Sequence, residues 1–130
     1  MNKRGVTPIH LAANNNRIDV VEQLVDAGAS TTRSCTDYGT PLMAAAMSRS
    51  FRVVEYLLRK GADANAVCAD FVFRTALQAA ASQRRRNGST IRALINGHAD
   101  VNLTGGYYGS ALCAAVVNNK QTVEQLLKTE

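Results

Sequence analysis

The sequence predicts an all-α repeat array, a solenoid of stacked helical hairpins, and three observations carry that reading. The run Thr7-Pro-Ile-His-Leu-Ala-Ala13 returns as Thr40-Pro-Leu-Met-Ala-Ala-Ala46, Thr75-Ala-Leu-Gln-Ala-Ala-Ala81 and Ser110-Ala-Leu-Cys-Ala-Ala-Val116, at offsets of 33, 35 and 35 residues. Each copy is followed, after a polar break, by a second apolar segment with one buried stripe at i, i+3 and i+4. Each of the first three second segments ends near a glycine and passes into a stretch of turn composition. A period of this length means units that cannot bury their apolar faces alone and must stack into one continuous core.

In the first unit Thr7 can cap a helix through its side-chain oxygen, and Pro8 follows at the first helical position, where its missing N–H costs nothing. Ala12 and Ala13 let neighbouring helices approach closely. Asn14-Asn-Asn-Arg17 breaks the helix, Val20-Val-Glu-Gln-Leu-Val25 forms the second one, and Gly28 ends it in a left-handed conformation. The second unit repeats this with Thr40, Pro41, Ala45, Ala46, Val53-Val-Glu-Tyr-Leu-Leu58 and Gly61. The third starts at Thr75 without the proline and has two extra residues between its helices, within Arg84-Arg-Arg-Asn-Gly-Ser89. Its second helix holds Thr90-Ile-Arg-Ala-Leu-Ile95, and His98, preceded by Gly97, takes the left-handed place at some strain. The fourth has Ala114 and Ala115, the break Asn118-Asn-Lys120 and Thr122-Val-Glu-Gln-Leu-Leu127, and the sequence ends at Glu130. The connecting segments 29–39, 62–74 and 99–109 must return the chain to the next helix start. The second is two residues longer than the usual length that the first and third keep, and reads Val67-Cys-Ala-Asp-Phe-Val-Phe-Arg74.

Helix, turn, helix, long projecting turn, with the Thr-Pro-Ile-His opening and a period of 33, resembles the ankyrin repeat. The resemblance covers residues 5–130 and implies one array of ankyrin-type helix-turn-helix units joined by projecting β-turn loops, with units at 5–38, 39–73, 74–108 and an incomplete 109–130. Units with Ala in place of Pro, a loop reading Gly105-Gly-Tyr-Tyr-Gly109 and a helix beginning Ala-Leu-Gln-Ala-Ala are similar to the ankyrin regions of large fungal multidomain proteins.

Composition bounds the function. Hydrophobic residues make up 46% of the 130, with seven aromatics and no tryptophan, so the core rests on Ala, Val, Leu and Ile. The apolar stretches fall short of the roughly 20 residues a membrane span needs, and no signal-peptide pattern precedes the first repeat. An intracellular protein, cytoplasmic or nuclear, is expected, with no membrane partner. Cys35, Cys68 and Cys113 form neither an even framework nor a zinc-ligand spacing, and neighbouring repeats at about 10 Å hold Cys35 and Cys68 beyond the roughly 7 Å a disulfide tolerates. Free thiols are expected, with no metal and no cofactor.

His10 and His98 are nearly ninety residues apart and cannot meet in a linear array, so no catalytic constellation is available and no enzyme is expected. The resemblance gives His10 a hydrogen-bonding role between neighbouring turns. Gly105-Gly-Tyr-Tyr-Gly109 lacks the Lys-Ser/Thr of a phosphate loop, and Cys113 beside Ala114 reads as a small buried hydrophobe. The net charge of +5 comes from residues 39–108, where nine basic residues face four acidic ones. Arg84, Arg85 and Arg86 serve either an acidic or phosphate-bearing ligand or the negative end of a helix dipole. Nucleic acid is not expected, because no aromatics are interleaved with these cations.

By the same resemblance, partners lie in a concave groove formed by the projecting turns and the exposed side of each first helix. The positions this implies for partner binding are Tyr38, Met47, Phe71, Phe73, Arg74, Gln83, Tyr107 and Tyr108. Asn14, Asn15, Ser48, Ser82, Val117 and Asn118 stand just after the Ala pairs. Aromatics and Arg dominate interface energetics, which favours the turn residues as anchors, although Tyr38 and Tyr108, at matching places before the next helix, can equally pack between loops. The expected function is a non-catalytic module binding a protein or peptide, including an acidic one. The alternative is a small ligand or substrate held between the aromatic turns, which would admit an enzyme. Val116, Val117, Val123 and Leu127 lack a following unit, which predicts either a fragment of a longer array or end-to-end self-association.

Overall fold

The computed structural model describes residues 5–48, 50–68, 73–83, 87–103, 111, 123, 126 and 127. Among them six helices run in order: α1 (Pro8–Asn14), α2 (Ile18–Asp26), α3 (Pro41–Met47), α4 (Phe51–Arg59), α5 (Ala76–Ala81) and α6 (Gly88–Asn96). They form three antiparallel hairpins. The inner helices α1, α3 and α5 pack side by side, as do the outer helices α2, α4 and α6, each on its own inner partner.

The inner helices begin as their sequence requires. Thr40 and Thr75 accept the backbone N–H of Met43 and Gln78, each at 3.2 Å. At α1 the bond also runs in reverse, from the Thr7 N–H to His10 Nδ1 at 3.1 Å. Each inner helix is alanine-rich where it meets its neighbour: Ala44, Ala45 and Ala46 on α3 and Ala79, Ala80 and Ala81 on α5 have no accessible surface, so the backbones approach closely. Ile9, Leu42 and Leu77 fill the same place in successive units, all buried.

The outer helices end alike. The N–H groups of Gly28, Gly61 and His98 reach back to Val25, Leu58 and Ile95, and those of the next residues to Leu24, Leu57 and Leu94. The terminating residues have φ of 94°, 93° and 72°, so His98 sits in the left-handed region that glycine occupies in the other two units. Gly97 has ordinary φ but stands close to the preceding unit: a Cβ there would lie 2.8 Å from Leu58 Cδ1, so Leu58 would have to shift. The ends of α4 and α6 touch at that point.

The extra residues of the third unit leave a trace in hydrogen bonding. In the first two units the turn between helices is closed by a backbone N–H, Arg17 to Ala12 O and Ser50 to Ala45 O, both at 2.9 Å. In the third, the side-chain amide of Asn87 donates to Ala80 O at 3.0 Å and to Ala46 O at 3.5 Å. A side chain thus replaces the backbone group that the insertion moves away, while Asn87 Oδ1 is buried without a partner.

The projecting loops also follow one plan. Cys35 and Gly39 exchange both backbone hydrogen bonds at 2.9 and 3.0 Å, and Cys68 N–H donates to Arg74 O at 3.1 Å. The two extra residues of the second loop therefore fall between Cys68 and Arg74 in the sequence. Loop to loop, the Asn65 amide donates to His98 O at 2.9 Å and its Oδ1 accepts the Asp100 N–H. Both described cysteines are buried and free. At the far end Leu126 is buried and Val123 packs on the core, while Leu127 is 53% exposed. Val116 and Val117 lie outside the described residues.

Candidate interaction surface

His10 organises the first projecting loop. It is fully buried, its Nδ1 accepts from Thr7 N–H and lies 2.9 Å from the Thr7 hydroxyl, and its Nε2 lies 2.9 Å from Arg33 O and 3.1 Å from Gly39 O. Carbonyls only accept, so Nε2 carries the proton and the ring is neutral. Burial pushes its pKa below the usual 6.5, against the pull of the two carbonyls and with the Arg33 charge adding to it. Every polar atom of the ring is committed to structure, which leaves no base for catalysis at this position.

Gln78 does the same work in the third unit. Its Oε1 accepts the Arg74 N–H at 2.9 Å and its Nε2 donates to Leu103 O at 3.4 Å, the carbonyl that matches Arg33 O in repeat register. The second unit has Met43 here, which brings no N–H. Two of the three projecting loops are thus tied to the preceding inner helix by a buried amide or imidazole.

These ties place the expected partner-binding side chains. Tyr38 stands two residues before Thr40, and Phe73 two before Thr75, so the two aromatics occupy one repeat position. Both are half-buried and packed against the core, which makes Phe73 an inter-loop packing residue as much as a contact. That register is readable in the sequence, which has Phe73, like Tyr38, two residues before the Thr that opens the next inner helix. Arg74 is exposed, with its backbone fixed at both ends by Gln78 and Cys68. Val67, at the start of the same loop, is 52% exposed.

At the ends of the inner helices the positions divide. Met47 is half-buried on the core. Gln83 is half-buried, and its Nε2 folds back onto Ala79 O at 2.9 Å. Ser48 is absorbed into the structure: its hydroxyl is 2.8 Å from Ser50 Oγ and within reach of Ala13 O, Ala44 O and Ala45 O. Ser82 and Asn15 likewise bond carbonyls of their own helices. A short polar side chain at a helix end finds an orphan carbonyl before it finds solvent. Phe71, Tyr107 and Tyr108, with Arg84, Arg85, Arg86 and Cys113, lie outside the described residues.

No group of three or more His, Cys, Asp or Glu among the described residues could hold a metal ion, and no described helix is long and apolar enough to cross a membrane. The arrangement offers shape and hydrogen bonding: Tyr38, Met47, Phe73, Arg74 and Gln83 come from two loops and two helix ends, held on a repeated frame.

Comparison with known families agrees with that frame. The family described as Ankyrin repeats (3 copies) matches residues 1–68, and the family described as Ankyrin repeat matches residues 73–106. No curated protein matches the chain.

Proposed function

The chain belongs to the ankyrin-repeat family, whose members are generally protein-binding scaffolds rather than catalysts, and on that premise we propose that it captures a protein partner across its projecting loops and the ends of α3 and α5. One observation carries the reading. Buried positions repeat from unit to unit, as Ile9, Leu42 and Leu77 do, whereas the surface positions following the Ala pairs change from Asn14 to Met47 to Ser82, and from Asn15 to Ser48 to Gln83. A fixed frame with a changing surface suits recognition of one particular partner.

Arg74 is the central contact in this reading, exposed on a backbone pinned at both of its hydrogen-bonding groups, with Phe73 beside it in the chain, Tyr38 on the preceding loop, and Met47 and Gln83 at the C-terminal ends of the inner helices. The sequence adds Phe71, Tyr107 and Tyr108 as further candidate contacts. An arginine whose backbone is already ordered loses less entropy on binding than one on a loose loop.

Photocrosslinking tests this. A photoreactive side chain at position 74 or 83 is expected to capture the same polypeptide from cell extract, and one at Glu55 on the outer side of α4 is expected not to. With that polypeptide purified, Arg74→Ala should weaken binding about tenfold or more, the loss typical of a hot-spot arginine. Capture from position 55 alone, or an unchanged affinity for Arg74→Ala, would place the interface elsewhere.

A further inference from the structure

Two neighbouring outer helices carry opposite charge on their exposed faces. On α2 the charged side chains are Asp19, Glu22 and Asp26, all exposed and all acidic. On α4 they are Arg52, Glu55 and Arg59, also exposed, with Lys60 just after the helix. In repeat register Asp19 matches Arg52 and Asp26 matches Arg59, so two positions change sign from one unit to the next. The two helices pack side by side. Even so, these matched charges form no ion pair with each other among the described residues; Asp19 lies instead 3.6 Å from Arg17, both well exposed.

Neither helix gains from this arrangement by itself. Asp26 stands in the last turn of α2, where the dipole favours a cation, and Glu22 is a like charge one turn before it. Arg52 stands in the first turn of α4, where the dipole favours an anion and the helix has none. Phe51 beside it is 39% exposed, and Ile18, its match on α2, is half-buried. Covering these groups with an oppositely charged surface removes the repulsion and shields the aromatic from water.

The chain itself supplies such a surface. A two-fold axis parallel to the outer helices, midway between α2 and α4, lays α2 of one copy on α4 of the other without reversing its direction, so each position meets its own repeat match. Asp26 of one copy then faces Arg59 of the other, Asp19 faces Arg52 and Ile18 faces Phe51, each pair occurring twice. Glu22 facing Glu55 is the like-charged pair in this arrangement. We infer that the outer face of α2 and α4 is a self-complementary docking surface for a second copy of this chain, separate from the loop surface. Exposed ion pairs contribute little singly, so the dimer is weak and needs the pairs and Phe51 together. The net charge of +5 opposes association at low salt, whereas at about 100 mM a Debye length of about 10 Å screens distant charges more than pairs in contact.

Sedimentation velocity of the whole chain tests the inference. At about 100 mM salt the average sedimentation coefficient is expected to rise toward that of a dimer as concentration approaches roughly 1 mM, and to fall back at about 1 M salt. Asp26→Arg and Arg59→Asp should each raise the dissociation constant at least about tenfold, and the two combined should return it to within about threefold of the original. Phe51→Ser should raise it by about tenfold as well. Glu55→Gln should lower it, because the like-charged pair is gone. Leu127→Ser, at the far end of the array, and Arg74→Ala, on the loop surface, should change it less than about twofold. Where thermal melting finds a charge-reversed variant unfolded, Asp26→Asn or Arg59→Gln must give the loss. A monomer at roughly 1 mM, no recovery in the double variant, or an equal loss from Leu127→Ser would overturn the inference, the last by placing the contact at the end of the array. A photoreactive side chain at position 55 should at these concentrations crosslink the chain to itself, a product distinct from the loop partner.

Discussion

His10 shows how one side chain can link sequence, fold and solution behaviour. Its neutral ring accepts from the Thr7 N–H and donates toward two carbonyls of the first loop, so a second proton would break the Thr7 bond and place a charge in a buried site. Its pKa is lower folded than unfolded, which fixes the sign of the linkage. Above the ordinary 6.5 both states hold the neutral ring and stability is flat in this group. As pH falls from there toward the lowered folded value, the unfolded chain takes up a proton that the folded one refuses, and stability drops by up to about 1.4 kcal/mol per pH unit. Below the folded value the loss levels off. Gln78 makes both kinds of bond without titrating, so His10→Gln should fold with nearly native stability at pH 8 and lack this component of the acid-side loss. Urea denaturation of both proteins between pH 8 and pH 5 checks it; parallel curves would show that other groups dominate.

At the scale of the element, helix beginnings and ends were legible because each depends on a single residue type. Thr40 and Thr75 as caps, Gly28 and Gly61 as terminators and His98 in a glycine's place all follow from local chemistry, and the structure has each where the sequence put it. Contacts between elements were not legible, because nothing near Gly97 in sequence announces Leu58. The same holds for Asn87, whose amide replaces a backbone donor only once the insertion has displaced it. The end of α6 therefore combines a residue at cost with one whose replacement must move Leu58. His98→Gly should raise stability by about 1 kcal/mol by relieving the left-handed strain, since the bond to Asn65 uses the His98 carbonyl and survives. Gly97→Ala, one position earlier, should lower it by about 1–3 kcal/mol, because the new methyl must displace Leu58. Thermal melts of the two variants should move in opposite directions; a stabilising Gly97→Ala would mean that α4 and α6 meet more loosely than the structure has them.

For the whole molecule, stability is a sum of units and the interfaces between them, and the two kinds of information separate along the same line. The buried positions could be read because they recur: Ile9 predicts Leu42 and Leu77, and the Ala pairs predict the close stack. The surface could be read only in part, since the residues that individualise it do not recur. Ser48, just after an Ala pair, has its hydroxyl tied to carbonyls, and Phe73 packs on the core as Tyr38 does. Recurrence also exposes where the interfaces stop among the described residues. Val53 and Leu57 on α4 have no accessible surface, whereas Val20 and Leu24, their counterparts on α2, are half-buried, and Leu11 is 46% exposed where Ala44 and Ala79 are sealed. The difference is the covering each outer helix receives: α4 packs against both α2 and α6, whereas α2 packs against α4 alone among the outer helices. Opening free energy should follow that covering, so amides of α2 are expected to exchange about tenfold or more faster than those of α4 in native-state hydrogen exchange, with urea raising α2 exchange first. Equal protection in the two helices would mean that the array opens as one cooperative block, with interface energies large enough to hide the difference between a helix covered on two sides and one covered on one.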